Sequence, residues 1–325
     1  TLCLTHACNL RCDYCYAGTK HGGRMTWEIA RRAVDFCLGH TVNQGGLTGQ
    51  PPAASQLGYF GGEPLLEWDL LRRSADYAIA EADRLAVPLK LTVTTNMTLL
   101  DEERAVWLGD HGFHLGLSLD GNAAMHDTLR RHADRRGSHA ECAPALRFFR
   151  GPDVPAEVIV VVDPRNVHHL GASIEWLAGQ DIRRIALNPN FYLEWPAEAL
   201  DQWRDQYRLV GDLYADSFRR DRPLNINVLD AKIRLHVKEG YAACDRCGFG
   251  QNEVAIAPSG NFYPCERIVG DDDNIDLRIG NVFDGFDHAR RAALVARRGN
   301  LVPECGDCPL RSRCMNWCSC INYAT

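Results

Sequence analysis

Three cysteines fall within eight residues near the start of the chain, Cys8-Asn-Leu-Arg-Cys12-Asp-Tyr-Cys15. From one tight loop their thiolates can hold three irons of a four-iron cubane and leave the fourth iron without a protein ligand. A cluster whose positions are all filled by thiolate serves structure or electron transfer. An iron with a vacancy can chelate a small molecule and pass an electron into it. Zinc is the other occupant three thiols suggest, but a structural zinc site takes four ligands, usually from two close pairs.

The chain holds 14 cysteines in 325 residues, which raises the question of a disulfide framework. Such frameworks belong mainly to small secreted chains, and clustered pairs elsewhere point to metal. No charged-then-apolar leader opens the sequence, and no run approaches the roughly twenty apolar residues of a membrane span. The chain therefore reads as cytosolic. A hydrophobic content of 46% suffices for a true core, and the length suits one large or two modest domains. With a formal charge of -6 and no long basic run, electrostatics give no reason to expect nucleic acid or an anionic membrane as partner. A small molecule or a peptide fits better. Thr1 runs directly into Leu2-Cys3-Leu4 with no initiator Met, which reads as a trimmed start with a recognition domain out of view.

Over residues 1–190, short apolar runs alternate with longer amphipathic stretches, the rhythm of strand and helix units around a parallel sheet. Six strands are expected, at 1–5, 57–60, 90–94, 115–119, 157–162 and 184–187, with helices at 27–38, 66–85, 101–109, 144–149 and 168–178. Thr26 is placed to cap the first helix. The Gly, Gln and Pro-rich stretch 45–55 reads as an exposed loop, and 198–239 as a polar helical bridge. Beyond it, eight of the cysteines lie between Cys244 and Cys320 with turn residues between them, a region too poor in apolar residues to build a core without metal.

The spacing Cys8-x3-Cys12-x2-Cys15 resembles the signature of the radical S-adenosylmethionine superfamily. The resemblance implies an α/β fold, a partial (β/α)6 TIM-like barrel over 1–195, with a reduced 4Fe-4S cluster that splits S-adenosyl-L-methionine into methionine and an adenosyl radical. Parallel barrels keep their working residues at the C-terminal ends of strands, and four segments sit there. Gly61-Gly62-Glu63-Pro64 matches the family's GGEP motif, which contacts the cofactor's amino group. Thr95 and Asn96, in Thr94-Thr95-Asn96, and Ser118 and Asp120, in Ser118-Leu119-Asp120-Gly121, resemble segments lining its ribose and carboxylate. Each is also compatible with turn chemistry. Tyr14 takes the aromatic position beside adenine. His126, Asp127 and Arg130 are expected to be structural or substrate-facing, and the run Val162-Asp163-Pro164-Arg165-Asn166 is a weaker candidate for the same pocket.

Downstream, Cys247-x12-Gly260-x4-Cys265, then Cys305-x2-Cys308-x5-Cys314-x3-Cys318, resembles the SPASM domain of peptide-modifying radical enzymes, here expected over 241–325 after a bridge at 196–240. A zinc ribbon is the plain alternative for Cys305-x2-Cys308 alone. The resemblance implies two auxiliary 4Fe-4S clusters, three in all. One would take Cys244, Cys247, Cys265 and Cys318, the other Cys305, Cys308 and Cys314. Seven ligands do not complete two clusters. A residue beyond this chain, Cys320, or an open iron would finish the second. Cys244 stands closer to Cys247 than the family spacing leads one to expect. Glu266 follows Cys265, where sulfatase-maturing relatives carry an Asp that acts as a base; a salt bridge with Arg267 or another neighbour is the alternative. Cys3 and Cys37 are read as small apolar residues.

The activity implied is hydrogen abstraction from a residue of a ribosomally made precursor peptide, a maturase reaction closing an intramolecular carbon-carbon or thioether crosslink, with a flavodoxin or ferredoxin-type electron donor. Two alternatives stand beside it. One is a maturase oxidising Cys or Ser of a sulfatase to formylglycine. The other is a zinc-stabilised binding protein without catalysis.

Overall fold

The computed structural model describes residues 1–48, 54–240, 247–297, 305–310, 314 and 318–320. Seven strands lie side by side in chain order, all parallel: β1 (Leu2–Thr5), β2 (Ser55–Gly61), β3 (Leu89–Thr95), β4 (His114–Ser118), β5 (Ala156–Val162), β6 (Arg184–Pro189) and β7 (Asn225–Ile226). Parallel neighbours need long crossovers. These are supplied by α1 (Trp27–Thr48), α2 (Trp68–Leu85), α3 (Glu102–Asp110), the short pair α4 (Ala123–Leu129) and α5 (His139–Cys142), α6 (Leu170–Gly179) and α7 (Ala197–Arg219), with α8 (Asn227–Val237) after the last strand. Thr26 caps α1 as expected, its Oγ1 accepting from Ile29 N at 3.3 Å.

Strand alternation divides the sheet into two faces. Leu91, Val93, Leu115, Leu117, Val158 and Val160 are buried in the core. Their neighbours Thr94, Ser118, Ile159 and Val161 stand on the opposite face and line a cavity. A period-two pattern thus builds the helix-packed core and the site from the same strands.

The chain beyond residue 247 does not form a sheet of its own. β8 (Ala255–Ile256) adds in parallel to the free edge of β1, and β9 (Asn261–Tyr263), β10 (Gly280–Asn281) and β11 (Gly285–Phe286) continue outward in antiparallel fashion, followed by α9 (His288–Arg297). The eleven strands make one open sheet. Phe36 of α1 seals the junction, with ring centroids 4.6 Å from Phe262 and 5.1 Å from Phe286. Gly260 turns β8 into β9 at φ +87°, and a Cβ there would stand 2.7 Å from Val282 Cγ2. Only glycine suits that turn.

All six expected strands form within a residue or two of their expected bounds at most ends. Three expectations need correction. The bridge contains a seventh strand, because Asn225 N reaches Arg183 O at 2.7 Å and Asn227 Oδ1 accepts from Leu187 N at 2.8 Å; a two-residue strand leaves no periodicity to read. The expected loop at 45–55 is helical to Thr48 and extended from Ser55, since propagating an existing helix through glycine costs only about 1 kcal/mol per residue. Residues 49–53 lie outside the described residues. Finally, the helix expected at 144–149 is a 3-10 helix, Ala143–Phe149.

Candidate active site

The cysteine loop leaves β1 and is held on two sides by backbone. Gly62 N donates to Thr5 O at 2.7 Å and Glu63 N to Ala7 O at 2.9 Å, while Arg11 N and Asp13 N donate to Arg131 O and Leu129 O at 2.6 and 3.0 Å. The first pair requires the strands to touch: a Cβ on Gly62 would lie 2.0 Å from the Ala7 carbonyl oxygen. Side chains complete the cradle. Asn96 Nδ2 donates to Asn9 Oδ1 at 2.9 Å and approaches Cys8 Sγ at 3.7 Å, and Lys20 Nζ stands 3.0 Å from Cys15 Sγ.

Cys8, Cys12 and Cys15 face a cavity of about 240 Å³ at the C-terminal ends of the parallel strands. Tyr14, Gly61, Gly62, Glu63, Thr95, Asn96 and Ser118 also line it. Glu63 is buried and accepts from Thr95 Oγ1 at 2.7 Å, Asn96 N at 2.8 Å and Leu65 N at 3.1 Å. Burial raises its pKa to about 7 against these hydrogen bonds. Its position is thereby fixed before any ligand arrives.

Asp120 is fully buried and is absent from the cavity wall. Its carboxylate accepts from Tyr14 Oη at 2.5 Å and Val161 N at 2.8 Å, and Arg130 Nε stands 3.0 Å away without pointing along a hydrogen bond. Asp120 therefore positions Tyr14 and Arg130, both of which do line the cavity. Pro64 is likewise buried off the wall, opening a 3-10 helix that Glu63 caps. His126 braces this group from behind, accepting from Asp120 N at 3.2 Å and meeting Ser138 Oγ at 2.9 Å. Asp163 is buried against Arg165 and Asn190, away from the cavity.

Sequence reasoning missed the end of β6 and the segment after it. Asn188 and Pro189 of β6, with Asn190, Phe191 and Tyr192, close one side of the cavity, and Phe191 and Tyr192 are 46% and 40% exposed, with Leu193 beside them 44% exposed. The signal available was three consecutive apolar residues at a strand's C-terminal end.

Glu266 and Arg267 reach the same cavity from the cysteine-rich region. Glu266 makes no salt bridge with Arg267 among the described residues; its carboxylate lies with Glu253 and Cys265, all within 4.8 Å of one another. Burial first, and Glu266 second, raise the Glu253 carboxyl to about 7. Behind them thiols gather. Cys265 and Cys320 are close electrostatic neighbours, Cys318 Sγ lies 3.2 Å from Cys320 Sγ, and Cys247 is an electrostatic neighbour of Cys318. Cys320, left outside the expected first auxiliary set, is thus among its members in space. Cys244, expected in that set, lies outside the described residues. Cys305, Cys308 and Cys314 are half-buried.

A family model described as the Radical SAM superfamily matches residues 2–177, more than half of the 325 residues. The chain belongs to the radical SAM superfamily. Membership brings S-adenosylmethionine and a 4Fe-4S cluster. Among curated relatives, the chain is 26% identical over 185 residues to an uncharacterised protein of Methanocaldococcus jannaschii, a match taking in 57% of this chain and 60% of that protein. It is 25% identical over 331 residues to a serine-type anaerobic sulfatase-maturating enzyme of Klebsiella aerogenes (96% and 77%), and 26% identical over 337 residues to a PqqA peptide cyclase of Rhodopseudomonas palustris (99% and 81%). Among solved structures, native anSMEcpe with bound AdoMet superposes with a TM-score of 0.78 at 18% identity, over 98% of this chain and 87% of that one. Streptococcus suis SuiB bound to precursor peptide SuiA gives 0.58 at 15%, over 96% and 70%. These likenesses show the fold.

The residues of this radical SAM chain fit the cluster. Three thiols stand on one wall, N–H donors reach two of them, counting Leu10 N to Cys8 Sγ at 3.4 Å, and no fourth cysteine or histidine lines the cavity among the described residues. Hydrogen bonds to sulfur are among the levers that tune such clusters. Burial pushes the Cys12 thiol up to about 12 and raises Cys8 as well, so metal binding must expel protons.

Proposed function

We propose that this chain abstracts hydrogen from a residue of a ribosomally made peptide and closes an intramolecular carbon-carbon or thioether crosslink. One observation carries the reading: the cavity is walled jointly by the Cys8–Cys12–Cys15 loop and by Glu266 and Arg267 of the second cysteine region. In a partial barrel with a C-terminal SPASM domain, a substrate in that cavity would touch both. S-adenosylmethionine on a reduced cluster supplies a carbon radical able to take one hydrogen atom. Glu63, fixed at the strand end, would hold the cofactor's ammonium; Tyr14, Thr95, Asn96 and Ser118 would bound its remainder. Crosslink closure loses a second hydrogen as a proton and an electron. The Glu253–Glu266 carboxyl pair would take the proton.

The electron would pass to auxiliary clusters. For the first of them we assign Cys247, Cys265, Cys318 and Cys320, in place of the set containing Cys244. Cys305, Cys308 and Cys314 would hold the second, and a flavodoxin or ferredoxin-type donor would reduce the whole. Formylglycine formation on a sulfatase is the second reading, favoured by the maturase relative. Both begin with the same hydrogen abstraction.

Anaerobic incubation with the peptide encoded beside this gene, followed by mass spectrometry, tests the proposal. A crosslink shows as loss of two hydrogens with no fragmentation between the joined residues. An aldehyde trapped by a hydrazide would establish the second reading instead. Cys314→Ala should still form 5'-deoxyadenosine while yielding little crosslinked peptide; full product from that variant would defeat the role given to the auxiliary clusters.

A further inference from the structure

Two arginines stand on the cavity wall, Arg130 and Arg267, and among the described residues only Arg130 has a carboxylate partner. Arg130 lies 3.0 Å from the Asp120 carboxylate. The Arg267 side chain makes no hydrogen bond or ion pair with any other described residue. Its guanidinium carbon sits 5.2 Å from the centroid of the Tyr16 ring, and Tyr192 is a further neighbour. A guanidinium stacked on an aromatic face keeps its N–H edge free for a planar acceptor.

Its location is also distinctive. Arg267 lines both the closed cavity and the open groove that adjoins it, a space of about 660 Å³ bounded by Tyr192, Leu193 and Leu277. Farther along that groove the charged groups are Asp13, Asp271 and Asp273. Asp13 is paired with Arg135 and Arg165, and Asp271 and Asp273 disfavour an anion along the groove except at its inner end.

We propose that Arg267 is a specificity-determining residue that binds a carboxylate of the substrate peptide, an Asp or Glu side chain near the modified residue, and so sets the register in which the peptide enters the cavity. This rests on the peptide-modifying reading given above. The match is one of chemistry: a carboxylate takes two parallel N–H donors from an arginine fork, whereas the surrounding acidic walls discriminate against the same charge elsewhere.

The test uses anaerobically reconstituted protein with S-adenosylmethionine and two fluorescent pools of random peptides, identical except for Asp or Asn at one central position, with binding read by anisotropy. The wild-type protein should bind the Asp pool about tenfold more tightly, the scale of one charge-assisted hydrogen bond. Arg267→Gln should erase that ratio, and Arg267→Lys, charged but without the fork, should restore part of it. Equal binding of the two pools by wild type, or a ratio that survives Arg267→Gln, overturns the inference and leaves the peptide reading intact. A shifted auxiliary-cluster reduction potential in Arg267→Gln with the ratio unchanged also overturns it, making Arg267 a counter-charge to the Cys318 and Cys320 thiolates. Binding of neither pool overturns the inference and the peptide reading together.

Discussion

The two cysteine regions are built on opposite principles. The loop carrying Cys8, Cys12 and Cys15 is bracketed by β1 and β2, pinned to Leu129 and Arg131 by backbone, and braced by the buried Asn96. Its shape is set by protein hydrogen bonds. The region after residue 247 contributes strands of two or three residues and brings its thiols together through contacts among themselves. The proposed clusters there would add to the burial of Phe249, Ile256, Phe262 and Ile279 in the common core. A rigid loop suits a site that must keep a fixed opening for a cofactor, whereas short strands added to a sheet edge share the core of the sheet they extend.

The largest effect that would break this contrast is chelation. On the proposed auxiliary clusters, stripping iron should raise hydrogen exchange in β8–β11 more than in β3–β5, because metal-binding free energy adds to the folding free energy of the segment that holds it; equal loss in both regions would show that they fold as one unit. Cys12→Ala should abolish S-adenosylmethionine cleavage, followed as 5'-deoxyadenosine, with only a small change in the thermal midpoint. Gly62→Ala should do the opposite kind of damage, destabilising the fold by about 3 kcal/mol or more in urea titration, since the new methyl collides with a backbone carbonyl.

Glu63 sharpens the contrast through pH. Its folded pKa of about 7 lies above the ordinary 4.5, so its contribution to stability is full below about 4.5 and is lost as pH rises through about 7, a swing of about 3 kcal/mol. Glu63→Gln should flatten that slope. Cofactor affinity should run the other way in the parent protein, strengthening as the carboxylate forms, and calorimetry across that range would check it. The smallest effect is expected from Asn96→Ala, about 1–3 kcal/mol, read as a lower urea midpoint together with weaker retention of iron at the first cluster.

Much of the site was legible because it depends on local spacing. The three-cysteine loop and Gly61-Gly62-Glu63 fall at strand ends that the apolar alternation had already marked. Asp120 shows why the rest was not legible: a carboxylate at a strand end reads the same whether it faces a ligand or, as here, a neighbouring tyrosine and arginine. The nearness of Cys320 to Cys265, 55 positions apart in sequence, is likewise something that spacing cannot report.

The sequence alone determined the strand and helix alternation, the cysteine loop and its cofactor class, since periodicity and ligand spacing act over a few residues. Only the tertiary structure decided that the cysteine-rich region extends the same sheet through β1, that the Glu266 carboxylate meets Glu253, and that Arg267 lines the cavity with no ion pair to another described residue. The first arises from packing between segments some 250 residues apart, as in the 2.8 Å bond from the amino group of Thr1 to Val254 O, and the other two from how the chain folds back on itself, which no local pattern encodes.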